Sequence, residues 1–234
     1  FIQGKETWLG NYDKVMNTWI LPINKIVISN WLKNVASKLG QTAIGPIPNA
    51  IDKNEFFITK PINTRSQQIS MLYHRAPIKG SHDGIEVLKR IKKNNSNLNA
   101  LIFSARKPNY RIPKWITLEI RPSISRLREI YNSTSIFIHT SYSEGWGLTP
   151  AESMMCGCAV VASANKGVKE YLFHNKTGLL SPIGNIDNMV NQIQFLIDNN
   201  DVRIRLAEEG NRTIDSFSWK ENVKQFEKAL LGNK

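Results

Sequence analysis

Glu144 and Glu152, with seven residues between them, bracket the turn Gly145-Trp146-Gly147 and a helix start at Leu148-Thr149-Pro150. Gly145 and Gly147 carry no side chain to hold a ligand away from the backbone, and Thr149 followed by Pro150 predicts a helix in which Thr149 caps and Pro150 takes the first helical position. The free N–H groups of such a first turn, with the positive end of the helix dipole, suit an anionic group such as a phosphate. Glu152 has two readings there: it completes a capping box with Thr149, or it accepts two hydroxyls of a ribose. Glu144 stands between Ser143 and Gly145, where it caps nothing, so a ligand hydroxyl is its better partner.

Such a turn needs a strand to present it and helices to bury that strand. Apolar runs predict strands at 69–74, 100–105, 116–120, 135–140 and 159–163, alternating with helices near 82–95, 123–132, 149–157, 167–173, 186–199 and 201–212. Ser218 and Glu221 form a second capping box that opens a last helix through Leu231. The alternation predicts an α/β fold, a Rossmann-like parallel sheet with helices on both faces, and such sheets bind ligands at the carboxyl ends of their strands. Nearer the start, Lys25-Ile26-Val27-Ile28 reads as a strand, and Ser29 or Asn30 caps the helix after it. The Gly45-Pro46-Ile47-Pro48 turn and the polar stretch from Lys60 to Gln68 read as a linker.

The 234 residues suffice for one well-cored α/β domain with an extension and are short for two. With 31 Lys and Arg against 19 Asp and Glu, the formal charge of +12 attracts phosphate-bearing ligands, an anionic membrane surface or nucleic acid. Much of that charge falls on helix faces such as Lys89-Arg90-Ile91-Lys92-Lys93, and without any nucleic-acid-binding motif that partner is disfavoured. Cys156 and Cys158 read as structural thiols beside a buried strand, since a single C-x-C cannot supply four metal ligands. No stretch approaches ~18 consecutive apolar residues and no signal-peptide pattern occurs, so the expected location is cytoplasmic, with a basic face able to meet the inner membrane surface.

The run from Glu144 to Ser163, E-G-W-G-L-T-P-A-E-S-M-M-C-G-C-A-V-V-A-S, closely resembles the E-x7-E signature of retaining glycosyltransferases of the GT-B fold, family 4. Ile69 to Arg75, followed by Ala76-Pro77-Ile78-Lys79-Gly80, is similar to the first strand and loop of that family's donor domain. Lys166 to Leu172, Asn175 to Leu180, and Ile47-Pro48-Asn49-Ala50-Ile51-Asp52 with Phe56 resemble three further segments, in order along the chain. Departures are His74 and Ala50 in place of Gly, a loop between Arg75 and Lys79 one residue shorter than the common form, Cys158-Ala159 in place of Thr-Pro, and Lys166 in place of the first Gly of a pair.

The resemblance implies residues 1–45 as the tail of an N-terminal acceptor domain, 46–68 as the interdomain linker, 69–212 as the donor-binding domain and 213–234 as a crossover helix, with Trp219 partly exposed. It implies that Arg75 and Lys79 neutralise a diphosphate, Glu144 holds sugar hydroxyls, and Gly145, Trp146, Gly147, Leu148 and Thr149 line the donor. Glu152 would hold the ribose, and the base would lie near Arg121. There is no D-x-D pair, so no metal and no cofactor is expected, and preorganised cations would carry the leaving-group charge. Two charge-assisted hydrogen bonds at ~1.5–3 kcal/mol each, with the helix amides, supply most of a micromolar affinity of about 8 kcal/mol. The implied reaction moves a sugar from a nucleotide-sugar to a glycan or lipid-linked acceptor with retention. A non-catalytic nucleotide-sugar-binding module, or one subunit of a split transferase with a partner chain for the N-terminal domain or self-association, is the alternative. A glycoside hydrolase, which also wants two carboxylates, fits less well because it has no use for Arg75 and Lys79.

Overall fold

A computed structural model describes residues 1–7 and 10–232. Six strands, β1 (Gln68–Leu72), β2 (Asn99–Ser104), β3 (Ile116–Ile120), β4 (Ile136–His139), β5 (Ala159–Ser163) and β6 (Leu179–Ser181), form one sheet in the order β3-β2-β1-β4-β5-β6. Every pairing is parallel. The order reverses between β1 and β4, and the crevice outside their carboxyl ends is where a parallel sheet of this kind accepts a ligand.

Period-two alternation splits the central strands between two cores. Phe137, Val160 and Ala162 face one apolar cluster with Tyr131, Trp146 and Tyr171, while Ile136, Ile138, Ala159 and Val161 face the other with Leu88, Ile193 and Leu206. Helices α3 (Ser81–Asn94), α6 (Ile186–Asp198) and α7 (Asn200–Asp215) supply the second cluster, and α4 (Ile124–Ser133) and α5 (Leu148–Met155) supply the first. Because both faces are covered, β4 and β5 are buried at every residue. The C-terminal helix α8 (Trp219–Leu231) starts where the sequence places it, with the Ser218 hydroxyl accepting from the Glu221 N–H, and Trp219 is 49% exposed.

Several local expectations are corrected. Lys25 to Ile28 is not a strand: it makes isolated parallel bridges, Ile2 with Val27 and Ile26 with Ile44, because each neighbouring segment runs alongside for a single pair. Residues 168–170 form one 3-10 turn rather than a helix over 167–173. The short edge strand β6 and the helix α1 (Tyr12–Trp19), capped by the Asn11 side chain, lie outside the expected elements. Ser29 precedes helix α2 (Asn30–Lys38) but makes no side-chain cap bond.

The last correction concerns α5. It begins at Leu148, capped by Gly147 at φ +98°, so Thr149 does not cap and Pro150 is the third helical residue. Glycine's freedom at positive φ lets the chain enter the helix two residues early, and Pro150 is tolerated because first-turn N–H groups have no intrahelical partner. The Leu148 and Thr149 amides therefore meet no capping side chain.

Candidate functional site

Three loops converge over the crevice. Gly80, at φ +60°, ends the loop after β1, and a Cβ there would stand 2.3 Å from the Thr140 carbonyl oxygen. Gly167, in the loop after β5, lies so close to the Glu144 carbonyl that an added Cβ would sit 2.5 Å from its oxygen. Hydrogen bonds complete the lock: Tyr142 N–H to the Ile78 carbonyl, 2.8 Å; Thr140 Oγ1 to the Lys79 carbonyl, 3.2 Å; Asn165 Nδ2 to the Ser141 carbonyl, 3.0 Å. The Glu144 turn is thus fixed from both sides by backbone contacts that a larger residue would disrupt.

Lys79 and Glu144 are brought together as an ion pair, Nζ to Oε1 2.7 Å, with side chains 31% and 14% exposed. His139, the last residue of β4, is buried and directs Nε2 to 3.6 Å from the same Oε1. Burial holds the His139 imidazole down to about 4, against the pull of Glu144 and with the push of Lys79, so it is neutral at pH 7. Burial pushes the Glu144 carboxyl up, but the charges of His139 and Lys79 and the Lys79 hydrogen bond outweigh it and hold the group below its ordinary value. At pH 7, with His139 neutral, the Lys79 ammonium carries that stabilisation.

Glu152 does not complete a capping box. Its carboxylate accepts from the Tyr131 hydroxyl at 3.0 Å, and burial raises its pKa, with the Tyr131 bond lowering it and Glu55 adding to the rise. Tyr131 is fixed from behind by Arg65, whose buried guanidinium donates to the carbonyls of Tyr131 (3.3 Å), Thr134 (3.1 Å), Gly157 (2.9 Å) and Cys156 (2.6 Å). A cation at the carboxyl ends of α4 and α5 matches both helix dipoles. Cys156 and Cys158 are free and buried beside it; burial pushes both thiols up, Cys158 to about 12, as expected of structural cysteines.

Arg75 and Arg121 do not join the Glu144 cluster. Arg75 Nε donates to the Lys107 carbonyl at 2.9 Å and Arg121 Nε to the Ala105 carbonyl at 3.1 Å, so both are anchored on the loop after β2. With His74, Ser104 and Arg106, Arg75 lines a cavity of about 280 Å³ over the carboxyl ends of β1 and β2, a basic compartment separate from the Lys79–Glu144 pair. Burial, Lys79 and Arg106 all lower the His74 pKa, and its Nδ1 accepts the Ala76 N–H at 3.0 Å.

The Trp146 side chain is buried against Tyr171 and Phe217, ring centroids 4.6 and 5.4 Å away, which leaves only its backbone for a ligand. Leu148 is half-exposed and Thr149 partly buried at the mouth of α5. Gly145's open side admits the chain itself: a Cβ there would stand 1.6 Å from the Gln3 carbonyl oxygen, and Trp31 Nε1 donates to the Gly145 carbonyl at 2.9 Å. The amino-terminal segment therefore forms one wall of the site. Sequence reasoning missed His139, Tyr131 and Arg65, which reach the site from separate elements and carry no spacing signal. Among the described residues no group of three or more His, Cys, Asp or Glu is placed to hold a metal ion, and no helix is long and apolar enough to cross a membrane.

The model of the glycosyl transferases group 1 family matches residues 52–213. An uncharacterized glycosyltransferase of Methanocaldococcus jannaschii is 33% identical over 102 residues, 42% of this chain and 26% of its own length. Among solved structures, Anabaena HepE in complex with UDP-glucose superposes with a TM-score of 0.80 at 16% identity, covering 94% of this chain and 66% of HepE. The C-terminal domain of LpcC, a group 1 family protein of Francisella tularensis, superposes with a TM-score of 0.62 at 18% identity, covering 71% of this chain and 97% of that domain. These likenesses place the six-stranded parallel sheet in the GT-B fold. The chain spans about a quarter of the length of the curated relatives it matches.

Proposed function

The chain belongs to the glycosyl transferases group 1 family, and from that premise we propose that it is the donor-binding half of a retaining, family-4-like transferase that passes a sugar from a nucleotide-sugar to a glycan or lipid-linked acceptor. The observation that carries this reading is the Glu144–Lys79 pair beside the first turn of α5, which no side chain caps, at the switch point of the sheet. HepE was solved with UDP-glucose, and the match to the isolated C-terminal domain of LpcC supports a C-terminal placement for residues 69–212. Residues 1–45 would then belong to the acceptor side, 46–68 to the linker and 213–234 to the crossover, and an N-terminal partner domain or a second copy would complete the cleft.

In this reading the diphosphate lies on the amides of Leu148 and Thr149 and draws Lys79 from one side and Arg75 from the other. Glu144, released by Lys79, accepts sugar hydroxyls; Glu152, oriented by Tyr131, accepts the ribose hydroxyls; the base lies by Arg121. As the glycosidic bond lengthens, negative charge grows on the leaving phosphate, where fixed cations and amides stabilise it without a metal. The acceptor hydroxyl attacks from the face the diphosphate leaves and gives up its proton to it, which retains configuration. The +12 charge would favour phosphate-bearing ligands and a peripheral stay at the cytoplasmic face of a membrane.

Calorimetric titration of the chain with UDP, GDP, dTDP and ADP tests this. Saturable binding of one nucleotide, lost in Arg75→Ala, is expected. Binding of none of them, or binding indifferent to Arg75→Ala, overturns the donor-site assignment.

A further inference from the structure

His139 is a titratable group at the Glu144 cluster that the donor-binding reading leaves without a task. Its imidazole is buried at the end of β4, where the strand's fixed backbone leaves it little freedom, and its Nε2 has no hydrogen-bond partner among the described residues. A buried nitrogen left unpaired is costly, so such groups are either satisfied in another state of the molecule or held for a purpose. The atom it faces is Glu144 Oε1, 3.6 Å away, half an ångström or so beyond hydrogen-bonding distance. That same oxygen is taken by Lys79 at 2.7 Å. Two donors thus compete for one acceptor, and the nearer of them stands on the mobile four-carbon stem of a part-exposed lysine.

We propose that His139 is a positioning residue that takes over Glu144 when Lys79 leaves for the donor diphosphate, so that the carboxylate stays aimed at the sugar. The inference rests on the donor-site reading given above and adds to it an exchange of partners. In the unliganded protein, Lys79 spends its charge on Glu144 and the imidazole waits. When the diphosphate draws Lys79 away, Glu144 would be left as a buried carboxylate without a cation, and would turn toward solvent or take up a proton. A neutral imidazole with its proton on Nε2 closes the gap with a small rotation, donates to Oε1 and leaves Oε2 for a sugar hydroxyl. The charged groups facing the imidazole are Glu144, from the turn after β4, and Lys79, from the loop after β1, and His74 on that loop faces the same pair. Nucleoside diphosphates without sugar engage Lys79 but make no demand on Glu144, so His139 should distinguish the two kinds of ligand.

Two measurements test this, and the first needs no nucleotide. The His139 ring is titrated by NMR in the wild type, in Lys79→Met, and in Lys79→Met with Glu144→Gln. The expected result is an at least tenfold higher proton affinity in Lys79→Met, lost again in the double variant; no rise in Lys79→Met overturns the exchange. In the second, UDP and UDP-glucose are titrated into the wild type, His139→Leu and His139→Gln. The Leu variant is expected to bind UDP-glucose about tenfold more weakly with UDP affinity within about twofold, and the Gln variant, whose side-chain amide can donate toward Oε1, to recover most of the loss. Equal loss for both ligands, or none, overturns the proposal. A wild type that binds none of UDP, GDP, dTDP and ADP refutes the donor-site reading instead, while the NMR titration still decides the exchange; where one of the others binds, it and its glucose conjugate replace UDP and UDP-glucose.

Discussion

Replacing Lys79 with Met and Glu144 with Gln, singly and together, isolates the energy of the pair at the centre of the site. At 2.7 Å the attraction is about 6 kcal/mol at an effective dielectric of ~20, which is a ceiling because it omits desolvation. The Lys79 side chain is 31% exposed and keeps part of its hydration, whereas Glu144 is 14% exposed and has lost most of it. The pair lies between exposed bridges worth ~0–1 kcal/mol and buried ones that cost ~3–5 kcal/mol when one partner is removed, so a coupling of about 2 kcal/mol is expected at pH 7. His139, neutral there, offers Glu144 no compensating charge. The sign with pH follows from the lowered Glu144 pKa: its contribution is fully present above the ordinary carboxylate pKa of about 4.3 and is lost as pH falls through the lower folded value. Urea unfolding of the four proteins at pH 7, repeated at intervals into acid, gives the coupling directly. Lys79→Met should be the most destabilised single variant at pH 7, and Glu144→Gln should relieve it. A coupling under ~0.3 kcal/mol at pH 7, or one that persists unchanged once the carboxyl is protonated, would refute the argument.

Tyr131→Phe removes one hydrogen bond from Glu152, worth ~1.5–3 kcal/mol if the carboxylate is charged, and should weaken nucleotide binding about tenfold. Because that bond lowers a pKa which burial has raised, the deficit should widen as pH is lowered through the weakly acidic range, measured by calorimetry at several pH values. Gly167→Ala should destabilise by ~1–3 kcal/mol in urea by forcing the Glu144 carbonyl away from a Cβ built at 2.5 Å, while Gly184→Ala, at φ +73° but with nothing within 4 Å of its Cβ among the described residues, should cost less. Neither Cys156 nor Cys158 should react with iodoacetamide in the native protein at pH 8, and both should react in urea, as mass spectrometry would show.

The parallel sheet was legible because β4 and β5 are continuous apolar runs, a pattern that follows from cover on both faces and needs no knowledge of the partners. Where pairing is local and brief, the pattern gave no guide. Ile26 to Ile28 are as buried as any strand, yet the segment bridges each of its two neighbours at one position only, and β6 is too short for its period to register. Helix α1 did carry a signal, Asn11 as a capping residue followed by Asp13 in the first turn. In the site, the two carboxylates could be named because they bracket one contiguous turn, and Lys79 because the loop that carries it resembles a family segment. Tyr131 and His139 could not, since their proximity to Glu152 and Glu144 exists only once α4 and β4 pack. Thr149 is instructive in another way. Its capping pattern with Glu152 is present in the sequence, but Gly147 at positive φ starts the helix earlier and frees Glu152 for Tyr131.

That release gives the two carboxylates different fates. Glu144 is held below its ordinary pKa by a cation that can leave, so it is charged at neutral pH and would become available when Lys79 finds another anion. Glu152 is pushed the other way by burial and steadied by a phenol that has nowhere to go, locked as it is by Arg65 through the Tyr131 carbonyl. Environments that drive paired carboxyls apart commonly mark different tasks. A carboxylate with an exchangeable partner suits a ligand part whose arrival must be coupled to the diphosphate, and one with a fixed partner suits a part that is bound the same way in every state. On this ground the proposed donor-site reading pairs Glu144 with the sugar and Glu152 with the ribose. The assignment predicts that Glu144→Ala weakens a nucleotide-sugar but spares the nucleoside diphosphate, whereas Glu152→Ala weakens both. Calorimetry with UDP and UDP-glucose reads the difference, and equal losses for both ligands in both variants would reject the division of labour.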